Sequence, residues 1–130
     1  MIVRDVMTTP VIAIEPTERL LDAFNILRRH QVKHLPVIEH GHLIGVLSDR
    51  DLLGHATREN NTYVFPRQTV ESAMTAPVVT CHPDDPVEKA ISLLLEKDIS
   101  CLPVLEDGEI VGIVTSRSFL QHIHSRELQG

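Results

Sequence analysis

Lys33-His34-Leu35-Pro36-Val37-Ile38-Glu39-His40-Gly41-His42-Leu43-Ile44-Gly45-Val46-Leu47-Ser48-Asp49-Arg50-Asp51 returns 67 residues later as Ser100-Cys101-Leu102-Pro103-Val104-Leu105-Glu106-Asp107-Gly108-Glu109-Ile110-Val111-Gly112-Ile113-Val114-Thr115-Ser116-Arg117-Ser118. The same offset aligns Val3–Leu53 with Val70–Leu120 without a gap, and 16 of the 51 pairs are identical. Average composition would give about three or four identities. Most other pairs exchange like for like, among them Ile12/Val79, Val32/Ile99, Val46/Ile113 and Ser48/Thr115. The chain is an internal duplication. Two copies are too few for a solenoid, which needs about three, and one copy alone would be marginal. The copies are therefore expected to pack about a pseudo-two-fold axis around one shared core.

Each copy has the same internal order. A Met-Thr-x-Pro opening (Met7–Pro10; Met74–Pro77) leads into an apolar run, Val11–Ile14 or Val78–Cys81, that reads as a strand. Pro16 or Pro83 ends it. A helix follows, with Leu20, Phe24 and Leu27 on one face in the first copy and Val87, Ala90, Ile91 and Leu94 in the second. Asp85, Pro86 and Glu88 mark the second helix's start as a capping box. Two apolar runs around His40-Gly41 or Asp107-Gly108 read as a hairpin, and Ser48 or Thr115 opens a last helix. The fold class is α/β in the α+β sense, with a small sheet packed with helices in each repeat. Residues 1–60 and 70–125 are the repeats of one module. The polar stretch 61–69 reads as a linker.

Composition narrows the function. The formal net charge is −6, without a basic run, and aromatics are scarce. Nucleic acid is a poor partner for such a chain. Charge is uneven: residues 1–65 hold 7 Lys/Arg against 8 Asp/Glu, residues 66–130 hold 5 against 10. An anion would be met by the first half. No stretch resembles a signal peptide or a membrane span, so the expected location is cytoplasmic, away from membranes. Cys81 and Cys101 stand where the other copy has Ile14 and His34, and read as buried, reduced thiols. His40 and His42 flank a turn, and His122 and His124 diverge on a helix. No metal site is expected. With no nucleophile–base pair and no Gly-rich phosphate loop, no enzyme and no catalytic residue is expected.

The ordered set of Met-Thr-x-Pro-Val, Leu-Pro-Val and Gly45-Val46-Leu47-Ser48-Asp49-Arg50-Asp51, present twice, resembles the cystathionine β-synthase (CBS) domain. Two in tandem are similar to a CBS pair, or Bateman module, here as a stand-alone protein. The resemblance implies a regulatory sensor that binds an adenosine-type ligand in clefts between the repeats and signals to an effector protein. It implies no catalytic cofactor, a homodimer, and Mg²⁺ only as a companion of ligand phosphates.

Carried over residue by residue, the resemblance gives a main cleft of Lys33, His34, Val46, Ser48, Arg50 and Asp51 with Thr75, Pro77, Val79, Ile99 and Ser100. Asp51 would accept from the ribose hydroxyls, and Ser48 stands at a helix start that favours an anion. Ser48-x-x-Asp51 is equally a capping box. Lys33 suits a phosphate, and His34 gains charge near pH 6.5; both also suit a solvated helix end. Arg50 and Arg117 read as phosphate partners or as solvated side chains. Val46, Val79 and Ile99 would sandwich the adenine, or serve as ordinary core. The second cleft combines Thr8, Pro10, Ile12 and Val32 with Ile113, Thr115, Arg117 and Ser118. It is expected to be weaker, because Ser118 replaces Asp51. AMP, ADP or ATP lead as ligands, with S-adenosylmethionine, NAD or a ligand-free scaffold and dimerisation role as alternatives.

Overall fold

The computed structural model describes residues 1–129, with side chains through Arg126. The first half runs α1 (Val3–Val6), α2 (Leu20–His30), β1 (His34–Glu39), β2 (His42–Ser48), α3 (Asp49–Leu53), β3 (Thr57–Glu59) and β4 (Thr62–Val64). The second runs α4 (Val70–Ala73), α5 (Val87–Glu96), β5 (Cys101–Glu106), β6 (Glu109–Thr115) and α6 (Ser116–Gln129).

Both long hairpins turn on two residues of positive φ, His40 (51°) with Gly41 (80°) and Asp107 (53°) with Gly108 (80°). This left-handed pair matches the twist of the strands it joins. Each hairpin shifts register at one place, between Val37 and Ile38 and between Val104 and Leu105. The fold is the expected α+β arrangement of two repeats.

The strands expected at Val11–Ile14 and Val78–Cys81 shrink to single bridged residues. Ile14 N–H donates to Pro36 O at 3.0 Å and Ile14 O accepts from Ile38 N–H at 2.9 Å. Cys81 does the same against Pro103 and Leu105, at 3.1 and 2.8 Å. Prolines on either side of each run, Pro10 and Pro16 or Pro77 and Pro83, bring no N–H to extend the ladder.

The chain forms two compact units, one of Ile12–Val78 and one of Met1–Val11 with Val79–Gly130. Each hairpin thus carries the opening segment of the other copy on its β2 or β6 edge. Val46 and Thr75 exchange backbone hydrogen bonds of 3.1 and 2.8 Å, and Thr8 and Ile113 exchange bonds of 2.8 and 3.2 Å. The single shared core is not what forms: each unit has its own. One gathers Ile14, Leu20, Leu27, Leu35, Val37, Leu47 and Leu52 with Val70 and Ala73. The other gathers Cys81, Val87, Leu94, Leu102, Val104 and Val114 with Val3 and Val6. The exchanged segments supply the aliphatic side chains that let so small a core close.

The helix faces are nearly as read, with Ala23 buried beside Leu20 and Leu27, and Val87, Ala90 and Leu94 inside. Ile91 departs from this, at 38 % exposed. Its counterpart Phe24 is covered by Tyr63 and Phe65, with ring centroids 5.8 and 5.0 Å away. Tyr63 lies on β4 and Phe65 just after it, in the stretch read as a linker. Asn60 and Asn61, at φ 50° and 64°, make that stretch a hairpin, a turn chemistry that Asn favours. Asp85 does not cap α5, whose N-cap is Pro86. Its carboxylate accepts from His82 N–H at 2.9 Å, as Glu18 accepts from Glu15 N–H at 3.2 Å.

Candidate functional site

In the Ile12–Val78 unit, β2 ends at Ser48 and α3 begins. Ser48 Oγ accepts from Asp51 N–H at 3.0 Å, so the serine is the cap that the spacing suggests. The Asp51 carboxylate faces the strand-like segment alongside: Thr75 Oγ1 donates to Asp51 Oδ2 at 3.3 Å. Both side chains are solvent-accessible. Asp51 and Thr75 come from different repeats, and the Val46–Thr75 backbone pairing brings them together.

A packing contact absent from the expected site fixes this pairing. A β-carbon at Gly45 would overlap Met74 Sδ and lie 3.2 Å from Thr75 O. Only glycine lets the methionine lie this close. Gly112 and Met7 repeat the contact in the other unit. Both residues are identical between the copies, which was the available signal.

His34 opens β1 opposite Ser48. Burial pushes its imidazole below the ordinary value, against the opposing pull of Asp49 and Asp51, while Lys33 adds to the lowering. A histidine charged near pH 6.5 is therefore not what forms here. Lys33 is exposed, and its carbonyl accepts from Asp49 N–H at 2.9 Å. Arg50 and Pro77 are exposed, and Val46 is half-buried. The helix behind Ser48 is only Asp49–Leu53, with Asp49 and Asp51 in its first turn. So short a helix has a weak dipole, and two carboxylates favour hydroxyl donors over an anion at that spot.

The Met1–Val11 and Val79–Gly130 unit repeats the frame with different chemistry. Thr115 N–H donates to Ser118 Oγ at 3.1 Å, and Ser118 N–H donates to Thr115 Oγ1 at 3.3 Å. This is a closed capping box. Ser118 is 5 % exposed, so its hydroxyl turns inward and not toward a ligand's sugar. Thr8 and Pro10 are exposed beside half-buried Ile113, and Arg117 is exposed. Val79 and Ile99 pack against this unit's core, while Ile12 and Val32 pack against the other's; Ser100 is exposed.

Burial holds the two thiols protonated: Cys81 is pushed up to about 11 and Cys101 to about 12. Asp85 raises Cys81 further, and Cys81 raises Cys101. His82, Asp84 and Glu106 have potential ligand atoms within 4.8 Å of one another. The Arg4 guanidinium already bonds Asp84 at 3.2 Å and Glu106 at 3.0 Å, and His82 Nδ1 accepts from Asp84 N–H at 3.0 Å. That cluster is an internal ion pair. Among the described residues, no helix is long and apolar enough to cross a membrane.

Two repeats of helix, hairpin and helix, each carrying its opening segment on a neighbouring edge strand, define a paired regulatory module. The CBS domain model matches residues 3–58 and 70–125, and the chain belongs to the CBS-domain family. Such modules are regulatory and non-catalytic. The CBS domain-containing protein YhcV of Bacillus subtilis is 30 % identical over 128 residues, 98 % of this chain and 89 % of that protein. The L-aspartate semialdehyde sulfurtransferase of Methanocaldococcus jannaschii is 34 % identical over 117 residues, 88 % of this chain, which spans only 22 % of that enzyme. The CBS domain pair of protein MJ0100, solved with 5′-methylthioadenosine and S-adenosyl-L-methionine, superposes with a TM-score of 0.81 at 30 % identity, covering 97 % of this chain and 98 % of that one. CBSX2 in complex with AMP gives the same TM-score, identity and coverage. Adenosine-type molecules thus occupy similar pairs.

Proposed function

We propose that this chain is an adenosine-ligand sensor with repeats over 1–60 and 70–125, in which the Ile12–Val78 unit does most of the binding. The observation that carries this is the exposed Asp51–Thr75 pair. A carboxylate with two acceptor oxygens suits the vicinal hydroxyls of a ribose, and Thr75 orients it. Lys33 favours a ligand with phosphates, so AMP, ADP or ATP leads over S-adenosylmethionine, which carries a sulfonium cation. Ser48, Arg50, Val46, His34 and Pro77 belong to the same unit. The inward-facing Ser118 supports a weaker second site at Thr8, Pro10, Ile113, Thr115 and Arg117. The exposed Leu95, Leu120 and Ile123 support a homodimer, and an effector protein receives the signal.

A thermal-shift panel of AMP, ADP, ATP, S-adenosylmethionine and NAD tests the reading. A true ligand at 100 times its Kd adds about 2.7 kcal/mol, a rise of several degrees. The Asp51→Ala variant is expected to lose that rise. No rise with any of the five would leave the scaffold reading in its place.

A further inference from the structure

One face of the Ile12–Val78 unit has no counterpart in the other repeat. The start of α2 and the segment leaving β4 enclose a groove of about 410 Å³ lined by Arg19, Leu21, Asp22, Phe65, Pro66 and Arg67. Beside it Leu21 is 51 % exposed and Tyr63 and Val64 are each 41 % exposed. Three of the four aromatic rings of the chain, Phe24, Tyr63 and Phe65, gather here. Clustered apolar exposure of this kind marks an interaction surface.

Its charged lining is two arginines, Arg19 and Arg67, and one aspartate, Asp22. The Arg28 guanidinium lies 5.3 Å from the Phe24 ring centre, and that of Arg58 lies 5.7 Å from Tyr63. Arg19 donates to the Arg67 carbonyl at 3.3 Å, which holds the groove's two walls together. The ion pairs of Arg4 and Lys89 lie in the other unit. The lining's two arginines, Arg19 and Arg67, outnumber its one carboxylate, Asp22, and Arg28 and Arg58 add two guanidiniums on the adjoining rings. Their sequence positions set them apart from the second copy: Pro86, Glu88 and Leu95 stand where the first copy has Arg19, Leu21 and Arg28, and Arg58 and Arg67 lie outside the aligned repeat or in the connecting stretch.

We infer that this groove docks an acidic segment of a partner protein, with an apolar side chain set among Leu21, Phe65 and Pro66 and carboxylates on the arginine rim. Charge complementarity selects the occupant. Guanidinium groups bind carboxylates in a bidentate fork, and apolar anchors inside a charged rim are the common pattern of such surfaces.

An array of short peptides tests this, with paired Leu or Phe flanked by Glu, and Ser-flanked and Lys-flanked versions as controls. The full chain is expected to bind the Glu-flanked set. Arg19→Glu and Arg67→Glu should each weaken that binding roughly tenfold or more, and Lys97→Glu should leave it unchanged. Salt near 1 M, where the Debye length is about 3 Å, should abolish it. Equal retention of Ser-flanked peptides, or binding unchanged in the arginine variants, overturns the proposal. Sedimentation of the chain alone decides against a rival occupant: self-association lost in Tyr63→Glu would mean a second copy fills the groove, and would also overturn it.

Discussion

Thr75 Oγ1 donates to Asp51 Oδ2 at 3.3 Å, joining the opening of the second repeat to the helix start of the first. Removing the threonine hydroxyl leaves the carboxylate in place but free to rotate. Thr75→Val should therefore weaken nucleotide binding several-fold, about 1 kcal/mol for one charge-assisted bond, and Asp51→Asn should weaken it more. Both variants should melt near the wild-type temperature, because both groups are exposed. Titration calorimetry with the ligand found by the thermal panel checks the order.

Gly45 is expected to tolerate nothing larger. A methyl group there meets Met74 Sδ, Met74 Cγ at 2.9 Å and a backbone oxygen, so Gly45→Ala should cost about 1–3 kcal/mol by overpacking. Gly112→Ala should cost a similar amount against Met7. Denaturant melts measure both, and a second change of Met74 or Met7 to a smaller residue should recover part of the loss.

Ser118 and Asp51 share a repeat position but answer to different forces. Ser118→Ala removes the acceptor for Thr115 N–H in a buried setting, at about 1–2 kcal/mol. The apo melting temperature should fall by a few degrees, while the ligand-induced rise stays intact. Asp51→Ala should do the reverse. A double comparison of melting temperatures with and without ligand separates the two.

His34 predicts an acid-side loss of stability. Its folded value lies below the ordinary 6.5 because burial disfavours the imidazolium. As pH falls through about 6.5, the unfolded chain takes up a proton that the folded chain refuses. The contribution of neutral His34 is full above that pH and shrinks below it. Melting temperatures from about pH 7.5 to pH 5 should decline less steeply in His34→Gln.

Much of this was legible from the repeat. The two turn glycines, the hairpins and the capping Ser48 and Thr115 follow from local chemistry that reads the same in both copies. The partnership of Asp51 with Thr75 was reachable only through the family resemblance. No local rule joins residues 24 positions apart across a linker. The Asn60-Asn61 hairpin had a usable signal, two residues tolerant of positive φ, but short polar strands leave no apolar alternation to confirm it. The inward turn of Ser118 was not legible. A serine in that position is neutral between ligand and cap, and only burial by the surrounding helix decides.

The exchange of opening segments has a bearing on synthesis. The Ile12–Val78 unit is complete as soon as Val78 has left the ribosome, and domains commonly form in that order. Residues 1–11, made before that unit, find their own hairpin only after β6 has emerged. Until then the one hairpin already made is β1–β2, which accepts the related segment around Met74. Arg4 and Glu71 occupy the same repeat position with opposite charge, and Arg4 meets Asp84 and Glu106 only in the late-forming unit. The Arg4 ion pairs thus favour the late-forming unit for its own segment, and Glu71 could not make them.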